Sequence, residues 1–579
     1  MKKRKKIKSA KAEEAQIWFR DSVTYEGEPY LIDLEQAEAV VDASLNTIVV
    51  ARAGSGKTRT LVAKIVYLIA KCGVGPDEIM AFVFNANAAR EINERLSKML
   101  VKGTPIMGGA VRELNKPSCE GVDGCPKIAS TFHAFSRRIV FEVCGGKDRC
   151  GKILAGEKEA YIKMIVREMT KGLSEDELAT LSKQMASFMN RAQQQFLNGE
   201  NTLAKSVTDR LVAEDITEEE QKFVQLGVEV YRRYHWYLLR KKKYLPEYGT
   251  DFNLIVSWAS KLIAKGGPEI RAILAHKKYI LIDEYQDFSQ LFLSAVMAIR
   301  RIAVDAKLFV VGDDWQAINR FAGSEVEYFK NFEGYFGDDY RRLEISTNYR
   351  CDYEIVDTAR RFMKKAMKET GSFRANSRRA GAVVLVNPKE TELGFATVSY
   401  DKRVSITDRV YQSVVMDILG KMPKKSTARY LKTVAEIVEA NRQAREILIL
   451  HRNNETNLEG MTLDSFERGL KEVLVKLGKM DKAEFEEKVE LMTMHKSKGL
   501  EAEVVIVLEA DEGVIPKIHP DTNLYRLFGE TNDVALDDQK RLFYVAMTRA
   551  KKRLYIIHDG NNRDGFIKFL GKNLEKWGE

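Results

Sequence analysis

Asn46-Thr47-Ile48-Val49-Val50-Ala51-Arg52-Ala53-Gly54-Ser55-Gly56-Lys57-Thr58 decides how the rest of this chain is read. Its apolar start, Ile48 to Val50, predicts a buried strand, and a helical pattern runs from Arg59 to Leu68 after a glycine-containing turn. Strand, small-residue turn and helix make a phosphate-binding loop. The N–H groups of Ala53, Gly54, Ser55 and Gly56 can converge on phosphate oxygens at a helix N-terminus. Lys57 supplies a mobile cation and Thr58 a hydroxyl for magnesium. Ala51 stands where the usual GxxxxGK(S/T) pattern has its first glycine, and it is small enough to keep the reading. The expectation is a nucleoside triphosphate with Mg2+.

A chain of 579 residues is too long for one core and predicts several domains. Hydrophobic content of 45% is ordinary for a globular protein, and no apolar run approaches the roughly 20 residues that span a bilayer. No membrane partner is expected. The first residues lack the apolar core of a signal peptide, so a cytoplasmic protein is expected, nucleoid-associated if the host is bacterial. The net charge of +10 hints at nucleic acid, but Lys2, Lys3, Arg4, Lys5, Lys6 and Lys8 supply six of those charges. Residues 1–30 read as a basic, disordered, solvated arm, with DNA binding or targeting as the alternative. Cys119, Cys125, Cys144 and Cys150 form two pairs with five residues inside each. That spacing is wider than zinc sites use, so reduced thiols are the first reading and a structural Zn2+ the second.

Gln36, just before the loop strand, could read an adenine edge because its amide offers a donor and an acceptor together. Ile79 to Phe84 reads as a second buried strand, followed by Asn85 and a helix; Ile128 to Ser130 is a third, leading to Thr131-Phe132-His133. Lys102 to Lys127 is rich in Gly, Pro and Cys and reads as a loop insertion. From about Leu154 to Tyr244 the pattern is helical, and Tyr231 to Tyr237 is aromatic and basic. Such a face could hold a strand, but rings packed inward on an amphipathic helix take precedence.

Tyr279-Ile280-Leu281-Ile282 reads as a strand ending in Asp283-Glu284. Two carboxylates at the end of a buried strand call for a cation. Asp283 is expected to hold magnesium with Thr58, and Glu284 to orient and deprotonate the attacking water. Leu308 to Val311 is a further strand; beyond it Gln316 is placed to sense the terminal phosphate and Phe321 could offer a ring to a base. The second half has strands at Ile447–Leu450, Val504–Val507 and Leu554–Ile557 with helices between, a second parallel α/β domain. Arg350 and Arg549 suggest arginine fingers that neutralise charge on the transferred phosphoryl group.

In this order and spacing AGSGKT, TFHAF, DEYQD, GDDWQ, NYR, TMHKSKGLE and VAMTRA resemble the superfamily 1 DNA helicases of the UvrD/Rep type, the GDDWQ segment most like the helicase IV branch. The resemblance implies an α/β fold of two RecA-like P-loop parallel-sheet domains with an inserted helical subdomain, ATP between the domains and single-stranded DNA across both. It assigns residues 31–100 and 245–337 to the first domain, 101–244 to the insertion, and 338–454 with 489–579 to the second domain. Relatives carry a large accessory domain where this chain has only 455–488, room for two helices and below the roughly 40 residues of an independent fold.

By motif, Gln36 would read adenine, Arg59 and Tyr349 would sandwich its ring, and Glu501 would reach the ribose side. Gln316, Arg350 and Arg549 would touch the γ-phosphate, while Phe84, Asn85, Thr131, His133, Phe321, Thr493 and His495 would face DNA. Asn319 replaces an aromatic residue, so Phe321 must carry more of the stacking. The expected activity is 3′→5′ translocation on single-stranded and tailed duplex DNA, by a monomer or weak oligomer that takes a loading partner of unknown identity. The alternatives are a translocase that strips proteins or drives a partner without efficient unwinding, and a nucleotide-binding regulator without a motor.

Overall fold

The computed structural model describes residues 2–107, 128–144, 157–195, 217–241, 251–393, 405–560, 565–571 and 574–577. The chain divides into two compact units. The first comprises Met1–Ala51, Gly56–Ile345 and Asp521–Thr531; the second comprises Arg52–Ser55, Ser346–Pro520 and Asn532–Glu579.

The first unit is built on a six-stranded parallel sheet in the spatial order Tyr340–Ile345, Asn46–Ala51, Lys307–Gly312, Tyr279–Ile282, Ile79–Val83, Ala129–Thr131. Its inner strands are apolar runs because both faces are covered. Ile48, Val50, Phe82, Ile280, Ile282, Leu308 and Val310 pack to one side, on the helices Phe132–Cys144, Phe252–Lys265 and Gln290–Ile302. Val49, Ala51, Ala81, Leu281, Phe309 and Val311 pack to the other, on Lys57–Ala70 and Ala86–Lys98. That alternation is the period-two geometry of a strand.

Three expectations about this unit are corrected. The N-terminal 30 residues are not a disordered arm: Lys2–Ser22 is a helix, followed by the short strands Val23–Tyr25 and Glu28–Pro29. Ala12, Ala15 and Phe19 are buried, and Ala12 and Phe19 join Val23, Tyr30 and Ile32 in the core. The charge run masked this helical spacing of apolar residues. The insertion does not begin at 101, because Ala129–Thr131 is an edge strand of the sheet and Phe132–Cys144 lines its core. Nor does the first domain stop at 337: Tyr340–Ile345 pairs in parallel with the loop strand, Ile345 opposite Ala51.

The helical insertion itself comprises Glu157–Met169, Glu175–Gln195 and Glu218–Lys241. Tyr231 and Tyr234 point inward, as the amphipathic reading expected, while Trp236 is exposed. Its core takes in Tyr525, Leu527 and Phe528 from a segment far along the chain, which the sequence placed in the second domain. Arg191 locks that segment through Glu530 at 2.5 Å and lies over the Tyr525 ring.

The second unit is a second six-stranded parallel sheet: Val489–Thr493, Ile447–His451, Ala502–Val507, Ala550–Ile557, Ala382–Val386, Glu575–Lys576. The short segment 455–488 forms two helices, Leu463–Lys476 and Lys482–Lys488. Phe466, Leu470, Val473, Leu474 and Phe485 on them belong to the core of this unit, so the segment is part of the domain rather than a remnant standing apart.

Phe19 is fully buried, and Phe19→Ala is expected to cost about 3–5 kcal/mol, read as a lower urea midpoint for the first unit. A solvated arm would leave that midpoint unchanged.

Candidate functional site

In the first unit nearly every segment singled out from the sequence leaves the carboxyl end of a sheet strand, where ligands bind in open parallel sheets. Gly56 caps the helix Lys57–Ala70 with a left-handed φ of 82°, and a Cβ there would lie 2.7 Å from the Gln36 amide nitrogen. Only glycine lets the loop turn this tightly with Gln36 against it. Thr58 donates its hydroxyl to Asp283 Oδ2 at 3.0 Å, and Lys57 Nζ lies 3.8 Å from Glu284 Oε1. Burial, and then the neighbouring Glu284 carboxylate, push the Asp283 carboxyl up to about 7 against the opposing pull of Lys57 and Thr58. A buried carboxylate beside a second one and a hydroxyl fits a small divalent cation, which would restore its charge. Thr58 and Asp283 are the residues that could hold Mg2+.

Gln36 is the third residue of the helix Leu34–Val41 and closes a capping box with Asp33: Gln36 N–H donates to Asp33 Oδ1 at 2.7 Å, and Asp33 N–H donates to Gln36 Oε1 at 3.1 Å. The box fixes the amide so that its nitrogen faces the loop. Arg59 is held as firmly. Its Nε donates to the Leu31 carbonyl at 2.8 Å, its guanidinium sits 4.4 Å over the Tyr30 ring, and Tyr30 Oη donates to the Arg59 carbonyl at 3.1 Å. Tyr30 and Asp33 were not anticipated; the clue was an aromatic six residues before the glutamine, which no periodic pattern marks.

Glu284 sits at φ 50°, ψ 40°, a left-handed conformation that costs a non-glycine residue about 1–2 kcal/mol and that concentrates at functional sites. Its N–H donates to Asp283 Oδ1 at 2.9 Å. Gln316 is buried and its amide nitrogen donates to Asp313 Oδ2 at 2.6 Å. Past it, Asn319 caps the short turn Arg320–Ala322, leaving Phe321 55% exposed. Phe84 is half-buried, edge-on to Phe292 at 5.5 Å. Asn85 and Thr131 both act as helix caps, accepting the N–H groups of Ala88 at 2.7 Å and Ala134 at 3.0 Å. His133 stands edge-on to Phe252 and Phe292, and burial lowers its pKa below the ordinary histidine value.

The second unit holds the remaining candidates. Asn348 donates to the Ala53 carbonyl at 2.7 Å and Tyr349 N–H donates to the Gly54 carbonyl at 2.8 Å. Gly54, at φ 65°, has no room for a side chain: a Cβ would lie 2.6 Å from Asn348 and 2.7 Å from Arg350. Ser55 is fully buried in the same stretch. The Tyr349 ring is 48% exposed. Arg350 pairs through Nε with Glu501 at 2.6 Å and donates through Nη1 to the Thr548 carbonyl at 3.2 Å. Glu501 also pairs with Lys551 at 3.1 Å, and the two cations hold its carboxyl below the usual range although burial opposes them.

Arg549 is 1% exposed, donating to the Val545 carbonyl at 2.9 Å and the Leu500 carbonyl at 3.0 Å. It thereby satisfies the end of the helix Asn532–Met547. Thr493 ends the edge strand and is half-buried. Burial, then Arg452 and Lys498, hold the His495 ring down to about 4, so it is neutral at physiological pH. Cys119, Cys125 and Cys150 lie outside the described residues, as does the side chain of Cys144.

A model of the UvrD/REP helicase N-terminal domain matches residues 32–337, and one of the UvrD-like helicase C-terminal domain matches 399–560. Among curated proteins, the DNA helicase IV of Escherichia coli is 24% identical over 93% of this chain and 70% of its own length. The putative ATP-dependent DNA helicase YjcD of Bacillus subtilis is 24% identical over 92% and 79%, and the ATP-dependent DNA helicase PcrA of Staphylococcus aureus is 22% identical over 91% and 83%. The N-terminal match takes in the loop of Gly56 and Lys57 and the carboxylates of Asp283 and Glu284, the C-terminal one Glu501 and Arg549, and on that basis the chain belongs to the UvrD/REP helicase family.

Proposed function

We propose that this protein is an ATP-driven motor that moves 3′→5′ along single-stranded DNA and separates tailed duplexes. The observation that supports it most is the Lys57–Glu284 and Thr58–Asp283 pairing at the head of one sheet, which sets an ammonium, a hydroxyl and two carboxylates side by side in the first unit. Gln36 would read the adenine, with Arg59 and Tyr349 as its stacking partners. Magnesium held by Thr58 and Asp283 would neutralise phosphate charge. Glu284 takes a proton from water as the water oxygen bonds to the γ-phosphorus and the bond to the β-γ bridging oxygen breaks, giving ADP and phosphate. Gln316 and Arg350 would contact the γ-phosphate. For Arg549 to add its charge there, it must exchange the carbonyls of Val545 and Leu500 for phosphate oxygens. With ATP Arg350 would leave Glu501, so the ion pair seen here is one end of a two-position switch.

Phe84, Asn85, Thr131, His133, Phe321, Thr493 and His495 are the proposed strand contacts. Rings accept any base, so binding without sequence preference follows. Lys57→Ala is expected to abolish ATP hydrolysis stimulated by single-stranded DNA, a loss of at least about 100-fold, with strand affinity nearly intact; a steady-state phosphate-release assay decides it.

A second reading, a translocase that displaces proteins but unwinds poorly, is favoured by the absorption of 455–488 into the core of the second unit, which leaves those residues in no separate accessory domain. Matched 3′-tailed and 5′-tailed duplexes discriminate. Separation of the 3′-tailed substrate alone is the expected outcome, whereas ATP turnover without separation of either would favour the second reading.

A further inference from the structure

Gln286, in the turn Tyr285–Asp287, is fully buried, and both ends of its amide are engaged. The nitrogen donates to Glu284 Oε2, in a short contact. The oxygen accepts the Asp313 N–H at 2.8 Å. A Cβ on Gly312 would lie 2.5 Å from that oxygen and 2.9 Å from the Phe329 ring, so the glycine keeps open the slot the amide fills. Asp313 in turn accepts from the Gln316 amide at 2.6 Å and from the Trp315 N–H at 3.2 Å, and the Gln316 N–H donates to the Asp313 carbonyl at 2.8 Å. Five residues past Gln316 stands the exposed ring of Phe321.

We propose that Gln286 is a positioning residue that ties the Glu284 carboxylate to the Asp313–Gln316 turn, so that strand occupancy at Phe321 sets where the general base points. This rests on the motor reading above. A buried amide must keep both hydrogen bonds or lose about 1–3 kcal/mol for each group left unmatched. Gln286 therefore cannot follow the Asp313 backbone without drawing Glu284 with it. Glu284 is poised to respond, since its left-handed backbone has few alternatives and its carboxylate is held by this amide on one side and faces Lys57 on the other. Neighbouring hydrogen-bonded groups such as these are where mutational effects fail to add.

The test uses Gln286→Met, which keeps the side-chain length and removes both bonds, and Gln286→Glu, which keeps an acceptor for Asp313 but removes the donor to Glu284. Wild type, both variants, Phe321→Ala and the Gln286→Met/Phe321→Ala double variant are assayed at saturating oligo(dT). Either Gln286 variant is expected to lower kcat about 30-fold, as a misdirected base does, with the KM for ATP and the Kd for oligo(dT) within about 2-fold of wild type. Phe321→Ala alone is expected to cost about 10-fold in kcat, and less than about 2-fold when Gln286 is already Met. Losses that multiply, an unchanged kcat, or a KM and Kd that rise together with a fall in thermal midpoint would overturn the inference. If wild type itself shows no turnover stimulated by oligo(dT), it is the motor reading that falls.

Discussion

The Asp283 carboxylate is shut away from water beside a second carboxylate, and the site of the first unit depends on how that charge is accommodated. Burial, and then the Glu284 carboxylate, favour its protonated form. The Thr58 hydroxyl and the Lys57 ammonium partly offset the cost. In the proposed reading a divalent cation would complete the compensation, and a triphosphate would add its own negative charge opposite Lys57. The pair Asp283–Glu284 is therefore arranged for a bound state, and the left-handed backbone of Glu284 is part of the same arrangement. It turns the second carboxylate away from the first and toward Lys57 and Gln286.

The parallel sheet makes that convergence possible. Its strands end near one another, so Ala51, Gly312 and Ile282, at the carboxyl ends of three neighbouring strands, put Lys57 and Thr58, Asp313 and the two carboxylates at one edge. The second unit repeats the principle with different chemistry. Asn348, Arg350, Glu501 and Arg549 gather there, and the cations are held by a carboxylate and by backbone carbonyls rather than facing water. Arginines parked in this way have little side-chain freedom left to lose, which would favour the phosphate contact proposed for them.

Much of this was legible in the amino-acid order. Ile48–Val50, Ile79–Val83, Tyr279–Ile282 and Leu308–Val311 are apolar runs of strand length, and only strands buried on both faces need them. What escaped notice was decided by tertiary packing. Tyr340–Ile345 alternates charged and apolar residues like an edge strand, and only pairing with Asn46–Ala51 places it in the first sheet. The N-terminal helix was hidden by its lysines, although Ala12, Ala15 and Phe19 carry the spacing of a buried stripe. Tyr525 and Phe528 lie far in sequence from the helices that bury them, and no local pattern reveals such a partner. Gln286 was within a recognised motif, but its role shows only when Gly312 and Asp313 are seen beside it.

The proposed strand contacts share one electrostatic property that composition does not suggest. The chain is basic overall, yet His133 and His495 are held below the ordinary histidine value, the first by burial and the second by burial together with Arg452 and Lys498. Neutral imidazoles stack and hydrogen-bond rather than attract phosphate. Asn85 and Thr131 have acceptor oxygens already occupied as helix caps, which fixes the groups they turn outward. A grip built from fixed dipoles and rings is short-ranged and indifferent to base identity. Such a grip would add little to the counterion release that makes strand binding salt-dependent, so that dependence would have to come from lysines and arginines elsewhere on the chain. Separating long-range attraction from short-range grip would suit the proposed motor, because the contacts that let go at every step would then be the ones that hold least at a distance.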